Sequence, residues 1–193
     1  DLRPFLCVLA TVGTLQAAGL PAWWRALPDL PRLESAFVQA SESAVFGQLR
    51  KEGTLQLSKG GRLRVAYQGG MVLVADGTDL VQYDPQARTA QRLSLDAAVR
   101  DMPLLNILVD PGALESAYLA RSTGADQVTL DPRRKDLARI TVEGRHGFLR
   151  RVTWVDATGA TQVLELKNPR VPPRAFPPST FTFKAPAGVR WIK

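Results

Sequence analysis

The side chains able to do chemistry are few and scattered. His146, the single histidine, stands in Glu143-Gly144-Arg145-His146-Gly147, a polar turn, and Cys7, the single cysteine, lies in an uncharged run. One of each excludes multi-histidine metal sites, multi-cysteine zinc sites and an internal disulfide. A Ser/His/Asp triad has no Gly-x-Ser-x-Gly turn to present its nucleophile. No phosphate-binding loop, dinucleotide fingerprint or HExxH motif is present. The carboxylates fall in turn sequences such as Asp76-Gly77 and Asp84-Pro85, where they bond nearby backbone N–H groups. Glu165 alternates with Leu164 and Leu166 and so faces outward from a strand. No catalytic residue, metal or cofactor is expected, and His146 reads as an exposed turn residue.

Charge adds a regional signal. The net charge of +7 is not shared evenly: residues 1–46 carry three basic and four acidic side chains, and residues 47–193 carry the remaining 22 and 14. Many basic residues alternate with apolar ones, as in Arg62-Leu63-Arg64-Val65, which describes the solvent face of a half-buried strand. A surface meeting an anionic membrane or an acidic partner is the other reading. Nucleic-acid binding lacks both interleaved aromatics and a recognition motif, so no nucleic-acid partner is expected.

The elements that must position any site follow from hydrophobic period. Residues 22–46 read as helical, from Trp23, Trp24 and Leu27 through Leu30, Leu33, Phe37 and Val38, with the better helix beginning near Pro31. From Gly53 the period becomes 2. Thr54–Ser58, Arg62–Gln68, Met71–Ala75, Leu80–Tyr83 and Thr89–Leu95 read as strands separated by Gly60-Gly61, Gly69-Gly70, Asp76-Gly77 and Asp84-Pro85, an antiparallel meander. Leu95, Val99, Met102, Leu105 and Leu108 then form a helical stripe, with Asp96 in its N-cap region, Asp110-Pro111-Gly112 as its stop and a break expected near Asp101-Met102 before Pro103. A second run of strands covers Tyr118–Ser122, Gln127–Leu130, Ala138–Glu143, Phe148–Asp156 and Thr161–Asn168. Residues 169–178 hold five of the fourteen prolines and read as an extended loop. Thr180–Lys184 reads as the last strand.

The fold expected is mainly β with helices (α+β): about ten or eleven antiparallel strands curled into an incomplete barrel around an apolar face. Leu55, Leu57, Leu63, Val65, Tyr67, Val81 and Tyr83 share a parity within their strands and are assigned to that inner face. Patterning leaves open whether the face is ordinary core or the lining of a pocket for an apolar ligand.

At the N-terminus, Pro4 to Pro21 carries no charge, and Ala17-Ala18-Gly19 supplies small residues ahead of Leu20. Residues 1–19 read as an export signal, with a packed first helix and a membrane anchor as the other readings. Removal of Cys7 with such a signal leaves no cysteine, which suits an oxidising compartment. Residues 20–193 are expected to form a single domain.

The order of these segments resembles the periplasmic outer-membrane lipoprotein carrier family, LolA. The likeness runs from Leu33-Glu34-Ser35-Ala36-Phe37-Val38-Gln39 through Gly53–Leu57 and Leu63–Tyr67. It continues through Leu73-Val74-Ala75-Asp76-Gly77-Thr78-Asp79-Leu80-Val81-Gln82-Tyr83-Asp84-Pro85 and Pro103-Leu104-Leu105 to Phe181–Val189. It spans roughly residues 31–190. The resemblance implies a half-barrel with a helical lid over its concave face, whose hollow takes the acyl chains of a lipoprotein. Phe37, Leu55, Leu57, Leu63, Val65, Tyr67, Val81, Tyr83, Met102, Leu105 and Leu108 then become the ligand-binding set. It also implies a monomeric carrier in the periplasm, loaded by an inner-membrane ABC transporter and unloaded by an outer-membrane receptor, without covalent chemistry. Lys59-Gly60 stands where the family has Arg-Pro, so Lys59 is the candidate lid latch, without the planar fork of arginine. Val65 and Val81 replace inward tryptophans of the family. Besides a carrier, a sensor or adaptor of the same architecture in an envelope biosynthetic pathway and a hydrolase of envelope lipid remain as functional alternatives.

Overall fold

A computed structural model of the chain describes residues 19–45, 47–101 and 103–192. The uncharged run through Cys7, and Met102, lie outside the described residues. The described residues open with a short helix, α1 (Ala22–Ala26), and a 3-10 turn (Leu27–Asp29), then enter strands β1 (Arg32–Ser43), β2 (Gly47–Ser58), β3 (Arg62–Tyr67), β4 (Val72–Asp76), β5 (Asp79–Asp84) and β6 (Thr89–Ser94). Three helices follow: α2 (Leu95–Asp101), α3 (Pro103–Val109) and α4 (Leu114–Ala117). Strands β7 (Tyr118–Gly124), β8 (Gln127–Pro132), β9 (Ile140–Arg145), β10 (Phe148–Val155) and β11 (Thr161–Arg170) complete the second meander, and β12 (Arg190–Ile192) is the last described element. All twelve strands form one open sheet in the order β12-β6-β5-β4-β3-β2-β1-β11-β10-β9-β8-β7. The expected open, curved, mainly β architecture is present, with twelve strands instead of ten or eleven. Among the described residues no helix is long and apolar enough to cross a membrane.

Residues directly opposite across a ladder share a face. Leu33, Leu57, Leu63, Ala75 and Leu80 form one row of the inner face, and Ser35, Leu55, Val65 and Leu73 the next. Leu164, Val152, Val142 and Val128 continue it across the second meander. These residues and the apolar sides of the helices make a single core.

Three expectations are corrected. Residues 32–43 are a strand, not a helix. Leu33 and Phe37 are four apart, a spacing that satisfies both periods, and the choice falls to pairing with β2 on one side and β11 on the other. Ser35, between them, is buried on the strand's inner face, with its hydroxyl 2.7 Å from the Ala36 carbonyl and 2.8 Å from that of Lys167. Residues 180–184 are not a strand either. Pro178–Phe181 form a 3-10 turn and the terminal strand is β12, which joins β6 in parallel. The alternation of Phe181 and Phe183 reflects packing instead of a ladder: Phe181 is buried, and Phe183 lies 5.5 Å from the Tyr83 ring and 6.1 Å from that of Trp191. Third, the helical layer continues past Asp110-Pro111-Gly112 into α4, which the turn residues had hidden. The expected break between α2 and α3 is in place. Asp96 is not the cap; the Ser94 hydroxyl accepts from the Ala97 N–H at 3.2 Å.

Turn chemistry is visible at Asp76. Its Oδ1 accepts from the N–H groups of Asp79 at 2.9 Å and Thr78 at 2.8 Å. Those bonds, with help from the Arg92 charge, hold the carboxyl below its ordinary value. A carboxyl lowered on folding stabilises the fold above its unfolded pKa, and that contribution is lost as pH falls through the lower, folded pKa. The urea midpoint is therefore expected to fall below about pH 4 more steeply in the native chain than in Asp76→Asn. Parallel midpoint curves for the two proteins would remove Asp76 from the acid response.

Candidate functional site: a lidded apolar face

The sheet's inner face and the helices form the site. Phe37, Leu55, Leu63 and Val65 from the sheet and Leu105 and Leu108 from α3 are buried in one cluster, with Leu57 and Tyr67 packed at its margin. Leu63, at 0% exposure, is its centre. From the helices, Leu95, Ala98, Ile107 and Leu114 close down on this surface, and Trp23 of α1 joins them. The inner face is thus shut from water with the lid down.

Two glycines let aromatic rings reach the sheet. A Cβ on Gly53 would come within 2.8 Å of the Phe37 ring, which lies over that position. A Cβ on Gly144 would overlap the six-membered ring of Trp23. The Trp23 indole also donates to the Ala125 carbonyl at 3.3 Å, which fixes α1 against the β7–β8 turn. Tyr67 stands edge-on to Phe37 with centroids 5.2 Å apart, and its hydroxyl donates to Gln39 Oε1 at 2.9 Å. Burial pushes the Tyr67 hydroxyl's pKa up.

The lid has a seam. On one side stand α1 and the 3-10 turn after it; on the other stand α2, α3 and α4. A cavity of about 190 Å³ lies along it, lined in part by Leu20, Trp24, Pro28, Leu114 and Tyr118. A second of about 380 Å³ is lined by Pro28, Lys59, Gly61, Leu95, Val99 and Val109 among others. Pro28 and Pro111 border both. Among the described residues the buried Tyr118 hydroxyl has no hydrogen-bond partner, and burial followed by the Asp136 charge raises its pKa. Asn106 bridges the helix break, its amide donating to the Val99 carbonyl at 2.8 Å, while its own Oδ1 is buried without a partner among the described residues. Such unpaired groups cost about 1–3 kcal/mol each, which favours motion of the elements that bear them.

Two residues assigned to the inner face lie on the other side. Val81 pairs with Val74 and Arg92, and Tyr83 with Val72 and Ala90, in rows that continue to Arg64 and Ala66. That outer face is apolar as well, because the C-terminal segment crosses it. Arg64 Nη1 donates to the Thr180 carbonyl at 3.3 Å, and Arg32 Nε donates to the Pro172 carbonyl at 2.7 Å where the segment begins. With both faces covered, β4 and β5 are apolar at successive positions and parity alone does not choose a side. Lys59 is exposed, and its Nζ lies 4.0 Å from Asp29 Oδ1, across from the turn after α1. His146 is exposed in the β9–β10 turn with φ 52°, and Glu165 faces outward between Lys167 and Arg151. The second meander's inner residues, Val128, Leu130, Ile140, Val142 and Val152, went unassigned although Gln127-Val128-Thr129-Leu130 alternates cleanly.

Fold and site together define an open, curved β-sheet whose apolar inner face is closed by a two-part helical lid. The sequence profile of the family described as outer membrane lipoprotein carrier protein LolA matches residues 30–184. The chain belongs to this family. It is 30% identical over 154 residues to an outer-membrane lipoprotein carrier protein of Bordetella pertussis, covering 76% of this chain and 72% of that one. It is 26% identical over 174 residues to that of Bordetella avium, covering 84% and 82%. Among solved structures, a LolA superfamily protein from Nitrosomonas europaea matches with TM-score 0.50 at 10% identity, covering 83% of this chain and 96% of that one. An uncharacterized conserved protein from Thermus thermophilus matches with TM-score 0.53, also at 10% identity, covering 88% and 94%. These two likenesses concern the fold.

Proposed function

We propose that the chain is a non-enzymatic periplasmic carrier that shelters the acyl chains of lipoproteins, or of a related lipid, and moves them from the inner to the outer membrane. The observation that carries this reading is the continuous apolar sheet face, roofed by short helices instead of by a second sheet. Each CH₂ moved out of water gains about 0.8 kcal/mol, so long acyl chains do not cross an aqueous space unaided. A bilayer shelters them comparably, which leaves direction of transfer to the partners that load and unload: an inner-membrane ABC transporter and an outer-membrane receptor. Of the two seam cavities, the one of about 190 Å³ falls below the roughly 300–1,000 Å³ of common small-molecule sites and the one of about 380 Å³ lies at its low end, little room for several acyl chains. Loading therefore proceeds by lifting the lid, and ligand shifts the balance between closed and open forms. In this scheme residues 20–193 act as one domain. Lys59, facing Asp29 beside the seam, serves as a weak latch, consistent with the small worth of exposed ion pairs.

The test is uptake of a palmitoylated probe, followed through tryptophan fluorescence. Loading is expected to saturate at one probe site. Asn106→Ala, which unties α2 from α3 at a cost of about 1 kcal/mol, is expected to load faster than the native chain. Absence of probe uptake by the folded native protein would sink the carrier reading.

A further inference from the structure

The β1–β2 hairpin outruns its neighbour. β2 pairs with β1 along its whole length, from Ser43 opposite Gly47 to Arg32 opposite Ser58. β3 covers only the part of β2 from Gly53 to Ser58. One further bond runs from the Gln68 N–H to the Glu52 carbonyl at 2.9 Å. That bond identifies the residues whose backbone looks away from β1: Glu52 and, by the alternation of an antiparallel strand, Arg50 and Gln48. Among the described residues no strand meets the N–H and C=O groups of Gln48 and Arg50 on that side. Beside this vacant edge is a notch of about 660 Å³, bordered by Tyr67, Gln68 and Met71 at the β3–β4 turn and by Asp84 and Pro85 at the β5–β6 turn.

The charges around the notch are unequal in what they have left to offer. Glu52 is held by Arg50, whose Nε and Nη2 donate to its Oε1 at 2.9 and 2.8 Å. Asp84 Oδ1 already accepts from the N–H groups of Gln86 at 2.8 Å and Ala87 at 3.2 Å. Lys51 has no carboxylate partner among the described residues; its Nζ sits 5.8 Å from the centre of the Tyr67 ring. Leu49, on the same side of β2 as Lys51, is 59% exposed. An incoming strand thus meets two sets of free backbone groups, one uncommitted cation and one bare apolar side chain.

We infer that the vacant edge of β2 at Gln48 and Arg50 takes an extended, acidic peptide segment as an added strand. Main-chain bonds give such a segment its affinity, and alternate side chains give it selectivity. The inference rests on the carrier reading for the identity of the segment: Tyr67 joins the notch to the apolar inner face, so the peptide is the cargo's own chain running on from its acyl groups. A partner protein's strand is the other occupant the test can reveal.

The experiment uses the full chain and a capped octapeptide alternating Val and Glu, with and without an N-terminal palmitoyl group, read by fluorescence anisotropy. Palmitamide serves as the acyl-only probe. The palmitoyl peptide is expected to bind about tenfold tighter than palmitamide. Arg50→Pro removes the outward N–H without touching a bond to β1, a change that an edge position tolerates. It is expected to erase that gain while palmitamide binding persists. Arg50→Ala keeps the N–H and is expected to keep most of the gain. Amide exchange at Gln48 and Arg50 should slow when the peptide is added. Equal loss in Arg50→Pro and Arg50→Ala, or no gain from the peptide, overturns the inference and leaves the carrier reading standing. If palmitamide fails to bind, the carrier reading falls. The edge is then judged on the unacylated peptide: binding lost in Arg50→Pro alone supports a partner's strand, and no binding overturns the proposal.

Discussion

Leu63→Glu is expected to abolish acyl-probe uptake and to lower stability by about 3–5 kcal/mol, the scale of an uncompensated buried charge. Leu63 is an inner-face residue with no exposure, flanked across the ladders by Leu57 and Ala75. A carboxylate there has no partner within the apolar cluster. It therefore holds its proton to a higher pH than in the unfolded chain. The sign of the pH response follows. With the folded pKa raised, the variant's deficit is smallest below the unfolded pKa and grows as pH rises through the folded one. Leu63→Met, which nearly conserves volume, is expected to cost less than about 1.5 kcal/mol and to retain uptake. Urea midpoints for both variants, with probe titrations where the protein is folded, check the pair. Retained uptake in a folded Leu63→Glu protein would place the acyl site elsewhere than the inner face.

Gly144→Val is expected to be the most damaging change outside the apolar rows. The missing Cβ leaves the space that the Trp23 ring occupies, and no rotation of a flexible tip relieves an overlap with the fused ring. Trp23 must leave its seat, which forfeits its burial and the bond to the Ala125 carbonyl. Losing a buried tryptophan contact set costs about 3–5 kcal/mol. Since α1 forms one side of the lid seam, its release also opens the inner face. A lower urea midpoint, red-shifted tryptophan emission and binding of an apolar dye at rest are the expected signs. An unchanged emission spectrum would show that Trp23 does not depend on Gly144.

Much of this arrangement was legible in the residues. Strands β2 and β3 declared themselves through strict alternation, as in Arg62-Leu63-Arg64-Val65, and β4 and β5 through short apolar runs between glycine and Asp-Pro turns. The α2–α3 break followed from Pro103. What escaped detection did so for identifiable physical reasons. Leu33 and Phe37 fit two periods at once, and long-range pairing to β11 made the choice. Val81 and Tyr83 were placed on the wrong face because the C-terminal segment covers the outer side of β4 and β5, so that both faces of those strands are apolar. The same segment kept the aromatic alternation of a strand at Phe181 and Phe183, but Pro178–Phe181 closes into a 3-10 turn and the rings alternate through packing. The match of Trp23 to Gly144 joins distant positions, one a ring and the other an absence of side chain. Local patterning has no means of pairing them.

The middle of the sheet joins the two ends of the chain. β1 is among the first described elements, yet its neighbour on one side is β11, with Glu34 opposite Arg170. Each meander can zip by short hairpin steps, but the seam between them waits until β11 has been made. Contacts of such sequence separation slow folding, and an unpaired β1 edge exposed meanwhile is prone to wrong partners. The β6 edge waits longer still, since its partner β12 follows β11 in sequence. A chain threaded through a membrane from its N-terminus would therefore close the seam in its sheet only after β11 has crossed. Synthesis order and sheet closure run in opposite senses, and a permuted chain that begins at β7 and ends at β6 is the arrangement in which β11 and β1 become neighbours in time.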